Sequence, residues 1–152
     1  MTSGAIAEAE GVDGEGVFTY TTTYINGEKK GTEREFKEWI SEPQDHILRF
    51  GTSATGDSGE TTYSETFVSN ATAYYFGNNA HGSTGSRGHY GTCAVDPSVI
   101  PYGTRLFVEG YGIAVANDTG GAIRGTRTDL YMRSLKEAKN WGRRNVQVYI
   151  LD

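Results

Sequence analysis

The sequence predicts a mostly β protein built from short strands, with one short helix. Three observations carry that expectation. Apolar and polar residues alternate over stretches of four to ten residues, the period of a pleated strand with one covered face. The 152 residues include 21 glycines and 10 tyrosines, a composition that suits tight turns and pleated surfaces better than long helices. Only one segment shows helical spacing together with start and stop signals.

In chain order, residues 1–10 read as a disordered or expression-derived start. GVFTYTTTYI (16–25) alternates as a strand should, and Asn26-Gly27 is a strong short hairpin signal. A return strand follows over roughly 28–39, Glu42-Pro43 breaks it, and HILRF (46–50) supplies a third strand. The expectation here is a small three-stranded antiparallel sheet, too thin to bury much by itself. Its open edge is where a second copy would add, giving a homodimer. Residues 53–65, polar and glycine-containing, read as a linker.

From residue 66 the texture changes. The end of SETFVSNATAYYF (64–76), TCAV (92–95), TRLFVEG (104–110), GIAVAND (112–118) and NVQVYIL (145–151) are strand candidates short and apolar enough for a closed barrel. Between the first two lies a long glycine-rich loop, 77–91, holding Asn78, Asn79, His81, Arg87, His89 and Tyr90. Ser134 with Glu137 forms a capping box ahead of LKEAKNW, and Gly142 marks the stop. Helical spacing puts Leu135, Ala138 and Trp141 on one face, with Trp141 either in the core or lining a groove.

Charge divides the chain more sharply than composition. Residues 1–70 hold 13 acidic and 5 basic residues, net −8, whereas residues 71–152 hold 6 and 9, net +3. The second half suits a polyanionic partner such as cell wall. It lacks the basic stripe with interleaved aromatics that nucleic acid requires. No run reaches the roughly eighteen apolar residues of a membrane span, and residues 1–15 show no export signal. Cys93 is the only cysteine and sits among small and apolar residues, the setting of a buried, inert thiol.

Three aspartates stand out: Asp96 in AVDPSVIP, Asp118 in ANDTGGAIRG and Asp129 in GTRTDLYM. Two of the three end apolar, strand-like runs, where a carboxylate emerges at the rim of a sheet, and Asp129 lies in a strand-like context between Thr128 and Leu130-Tyr131. Asp96 before Pro97, and Asp118 before Thr119-Gly120-Gly121, also suit turn formation; Asp129 has no such explanation. Two ionised carboxylates about 4 Å apart repel by about 4 kcal/mol at an effective dielectric near 20, or about three pKa units. One of such a pair keeps its proton and becomes a general acid.

Residues 11–52 carry G-x-D-G, a Thr/Tyr-rich strand, Y-I-N-G, E-P and a closing Arg-Phe-Gly-Thr. They resemble the C-terminal half of the five-glycine repeat module of bacterial surface proteins, which implies a spacer or a weak wall-binding element. Residues 66–152 carry ATAY (71–74), G-x-x-A-V-D-P-S-V-I-P-x-G-T (91–104), G-Y-G-x-A-x-A-x-D-T-G-G-A-I-x-G (110–125), T-D-L-Y (128–131) and A-x-x-W-G-R-R-x-V-x-V-Y-I-L (138–151). This half resembles the three-aspartate domain of Gram-positive wall proteins of the stationary-phase survival type. It is similar too to the catalytic barrel of the membrane-bound lytic transglycosylase A class.

That resemblance implies a six-stranded double-psi β-barrel acting on peptidoglycan glycan strands, secreted or wall-associated. Asp129 corresponds to the catalytic acid, Asp118 to the carboxylate that tunes it, and Asp96 to the third member at the edge of the site. Thr72, Tyr74 and Thr119 are the residues expected to hold the acid or the sugar. Gly120 and Gly121 would allow close backbone approach, with Arg124 and Tyr131 beside the substrate. The implied reaction is lytic transglycosylation, which needs no metal and no cofactor.

Other readings of the same residues are a glycan-binding module that does not cut and a hydrolase that uses water. The D-T-G at 118–120 also resembles the aspartic protease signature, but that enzyme needs two such aspartates across a two-fold axis. His81 and His89, eight residues apart, match no metal-ligand spacing.

Overall fold

The computed structural model describes residues 6–51, 58–77 and 81–152. The chain divides into two units, one over Glu8–Ile47 and one that joins Leu48–Asp152 to the segment Met1–Ala7.

In the first unit, β2 (Glu15–Ile25) and β3 (Glu28–Ser41) form a two-stranded antiparallel sheet. Asn26 and Gly27 have φ of 53° and 80°, the pair of positive values that a tight hairpin turn requires. The alternation does not mark a buried face, because no residue of either strand is fully buried. Order comes instead from cross-strand side chains. Across the strands the rings of Phe18 and Phe36 meet edge to face at 5.4 Å and the Arg34 guanidinium sits 3.5 Å above Phe18; within β3, Phe36 lies 4.8 Å from Trp39. His46 Nδ1 accepts the Gly11 N–H at 2.9 Å.

The expected third strand of that sheet belongs elsewhere. β4 (Ile47–Gly51) lies between β1 (Ile6–Ala9) and β5 (Ser58–Tyr74). The reason is burial: Leu48 is enclosed in a cluster with Tyr63, Phe107, Tyr149 and Leu151, and a bare hairpin offers it no such site. Residues 58–65, expected as linker, form the first half of β5 and are pinned beside β4 by the 2.6 Å Arg49–Glu60 ion pair. The rest of the expected linker, 53–57, lies outside the described residues.

The six-stranded barrel is present. Its strands are β5, β6 (Thr92–Ala94), β7 (Arg105–Val108), β8 (Gly112–Asp118), β9 (Thr128–Tyr131) and β10 (Arg144–Leu151). They run around the barrel as β5-β10-β7-β8-β6-β9, and β9 closes onto β5. The β5–β9 and β6–β8 pairs are parallel and the others antiparallel. Ala71, Cys93, Leu106, Ala116, Leu130 and Val148 fill the interior. Cys93 is fully buried, and that burial pushes its thiol pKa up, as expected of an inert side chain.

The helix α1 (Leu135–Trp141) begins where the capping box predicts: Ser134 Oγ accepts the Glu137 N–H at 3.1 Å. Glu137 Oε2 reaches back to the Arg133 N–H at 3.0 Å, and Gly142 ends the helix with φ 64°. Ala138 and Trp141 pack into the core, which settles Trp141 as a core residue. Leu135, placed on the same face by spacing, is instead 55% exposed, because the first turn overhangs the surface on which the rest of the helix packs.

Candidate functional site

Register brings the site together on one face of the barrel. Ala71, Cys93, Ala116 and Leu130 point into the core, so the alternating residues Thr72 and Tyr74 on β5, Ala94 on β6, and Asp129 and Tyr131 on β9 face the other way. Thr72 is the register partner of Asp129, and Tyr74 that of Tyr131. Asp118 reaches the same face through an irregularity. Cys93 pairs with Ala116 and Ala94 with Asp118, so Asn117 is one residue too many and the strand is re-aimed there. Ala94 is then the partner of both Asp118 and Asp129. The two aspartates sit level on strands two apart, about 10 Å between backbones, on either side of Ala94.

Their surroundings differ. Asp118 is 6% exposed and surrounded by donors. Oδ2 accepts the Tyr74 hydroxyl at 2.8 Å, and Oδ1 accepts the Ser83 N–H at 2.7 Å and the Thr119 N–H at 2.8 Å. Burial by itself would raise its pKa, but the bonds from Ser83, Tyr74 and Thr119 outweigh burial and hold the carboxyl below its ordinary value. Asp129 is half-buried and accepts the Thr72 hydroxyl at 2.8 Å. Burial, reinforced by the negative charge of Asp118, raises its pKa against the opposing pull of Thr72, Arg127 and the Leu130 N–H. One face therefore carries two carboxyls whose pKa values are moved in opposite directions, Asp118 down and Asp129 up.

Several residues expected at the site act as its support. Tyr131 is 4% exposed; its hydroxyl donates to Gly77 O at 2.9 Å and its ring meets Tyr74 edge to face at 5.3 Å. The Thr119 hydroxyl donates to Val95 O at 2.9 Å, which joins the ends of β6 and β8. Asp96 spends both oxygens on the chain: Oδ1 accepts the Ser98 hydroxyl at 2.6 Å and the Ser98 N–H at 3.1 Å, and Oδ2 accepts the Gly125 N–H at 2.9 Å. These bonds lower its pKa and clamp the loop that carries Gly120, Gly121 and Arg124. Gly121 has open space where a Cβ would stand, and Gly120 has only Ile123 nearby at 3.4 Å. Arg124 is exposed and donates to Ile123 O at 3.1 Å.

Sequence reasoning missed Ser83, Gly82 and Ala94. For Ala94 the alternation through TCAV was the available signal; for the loop residues only the glycine spacing hinted at close packing. Among the described residues, no group of three or more His, Cys, Asp or Glu side chains is placed to hold a metal ion. Nor is any described helix long and apolar enough to cross a membrane.

Residues 91–152 match the family model of the 3D domain, and residues 7–53 that of the G5 domain. The Bacillus subtilis (strain 168) cell wall-binding protein YocH is 52% identical over 59 residues, covering 39% of this chain and 21% of that protein. The putative cell wall shaping protein YabE of the same organism is 48% identical over 59 residues, covering 39% of this chain and 14% of its own length. The chain thus spans about a fifth or less of these two relatives. Among solved structures, MltA from E. coli is 26% identical with a TM-score of 0.44, covering 51% of this chain and 28% of that one. The chain thus carries one stretch similar to the G5 domain, residues 7–53, and one similar to the 3D domain, residues 91–152.

Proposed function

We propose that the barrel is a peptidoglycan lytic transglycosylase domain, with Asp129 as its acid. The observation that carries this reading is the divergent setting of two carboxyls level on one barrel face: Asp118 accepts from three residues that lower its pKa, whereas burial raises that of Asp129. That is the arrangement general acid catalysis of glycosidic cleavage needs. The substrate class follows from the relatives, two of which are named for binding or shaping the cell wall.

In the proposed reaction the Asp129 proton passes to the oxygen linking N-acetylmuramic acid to N-acetylglucosamine. The glycosidic bond breaks, and positive character builds on the muramic acid ring, where the Asp118 charge favours it. The deprotonated Asp129 then takes the proton of that sugar's 6-hydroxyl as its oxygen closes on the anomeric carbon. The product has a 1,6-anhydro end, and the acid is restored. Thr72 orients the acid, Tyr74 and Thr119 hold Asp118, and Asp96 positions the 120–125 loop.

General acid–base help of this kind contributes about 10²–10⁴ in rate. Asp129→Asn should therefore lose about that much in the release of soluble fragments from purified wall, with its circular dichroism unchanged. Full activity in the folded variant would overturn the assignment. A second reading, wall binding without cutting, is favoured by the name of the relative YocH. It predicts that wild type and Asp129→Asn both co-sediment with wall and that neither releases fragments.

A further inference from the structure

The loop at 81–91 lies against Asp118 and Tyr131. A Cβ at Gly82 would stand 2.9 Å from Asp118 Cγ and 3.0 Å from each of its oxygens, and one at Gly88 would stand 2.5 Å from the Tyr131 ring. Neither glycine has a positive φ, so what demands glycine at these positions is close approach and not backbone conformation. That approach brings the next N–H, from Ser83, to 2.7 Å from Asp118 Oδ1, while Ser83 Oγ accepts the Thr119 N–H at 3.0 Å. The loop is braced for this contact. Gly82 N–H donates to Ser86 O at 2.8 Å, Gly85 N–H to Gly82 O at 2.9 Å, and the Thr84 hydroxyl to Asn117 O at 2.7 Å.

We propose that Gly82 and Ser83 are positioning residues of Asp118: by docking on its carboxylate they fix the charge that faces Asp129. The catalytic meaning of this rests on the lytic reading above; the linkage between loop and carboxyls does not. An enclosed carboxylate stays ionised only while donors offset the loss of water. Ser83 gives its N–H to Asp118 at 2.7 Å, and its Oγ holds the Thr119 N–H beside the same carboxylate at 3.0 Å. With these withdrawn, Asp118 is left with Tyr74 and Thr119 in the same enclosed position, and its affinity for a proton rises. The repulsion that Asp129 feels then weakens, and its own affinity falls. The groups around Asp118 are Tyr74 from β5, Cys93 from β6 and Asp129 from β9, with Arg127 acting on Asp129. None of them can replace the Ser83 N–H, because Tyr74 already bonds Asp118 and the Cys93 thiol is buried in the core.

The test is a carboxyl ¹³C NMR titration of the full chain, comparing wild type with Gly82→Ala and Ser83→Ala and assigned through Asp118→Asn and Asp129→Asn. Both variants should move the Asp118 midpoint up and the Asp129 midpoint down, with the larger shifts in Gly82→Ala. A merely structural loop would not move the two in opposite directions. Unmoved midpoints in folded Gly82→Ala overturn the proposal; should that variant fail to fold, unmoved midpoints in Ser83→Ala do so. In wall-release assays the alkaline limb of Gly82→Ala should shift to lower pH. If wild type releases no fragments while the opposed shifts appear, this proposal stands and the lytic reading falls.

Discussion

The Thr72 hydroxyl donates to Asp129 at 2.8 Å and favours the charged form of that carboxyl. Thr72→Val keeps the shape and removes the bond. The alkaline limb of the pH–activity profile should therefore move to higher pH, at a stability cost of about 1 kcal/mol; a limb that moves down would contradict the assignment of that limb to Asp129. Asp96 carries the opposite sign. Its carboxyl is held below its ordinary value by Ser98 and Gly125, so the unfolded chain binds the proton more readily. The stability this confers is present above about pH 4 and is lost as pH falls below that. Urea unfolding should accordingly show a gap between wild type and Asp96→Asn that is constant near neutrality and closes in acid. Asp96 and Asp118 were legible in the sequence because each ends an apolar run, and Asp129 because its strand-like flanks leave turn formation a weak explanation. Ser83 was not, since its bond to Asp118 spans 35 residues and the loop chemistry shows no periodicity that would announce it.

Local rules decided most elements. The Asn26-Gly27 turn and the Ser134–Glu137 capping box are both present because they depend only on residues within one turn of each other. Ser134→Ala should cost about 1 kcal/mol, read as a lower urea midpoint at unchanged slope; no change would mean that packing of Trp141 alone fixes the helix. What local rules could not decide was partner choice. The HILRF segment reads as a strand in either sheet, and only the enclosed position of Leu48 beside Tyr63 and Tyr149 assigns it. The extension of β5 back to Ser58 has the same cause, since Ser58–Glu60 read as polar until β4 lies alongside.

For the molecule as a whole, closure of β9 onto β5 is what sets Thr72 beside Asp129. Nothing in sequence spacing alone brings residues 72 and 129 together, and the barrel became legible through family resemblance. The two units should also differ in stability. The strands β2 and β3 bury no residue fully, whereas β7 buries Leu106, Phe107 and Val108. Amides of β2 and β3 should exchange with solvent orders of magnitude faster than those of β7; equal protection would show that the hairpin is stabilised by more than its own cross-strand contacts. The proposed cleavage of wall glycan by Asp129 without water is decided by mass analysis of the fragments released from purified peptidoglycan by wild type and Asp129→Asn. Wild type should release 1,6-anhydro-ended muropeptides and the variant almost none. Reducing ends would instead mean that water attacks the sugar, and fragments released equally by both proteins would contradict the role of Asp129 altogether.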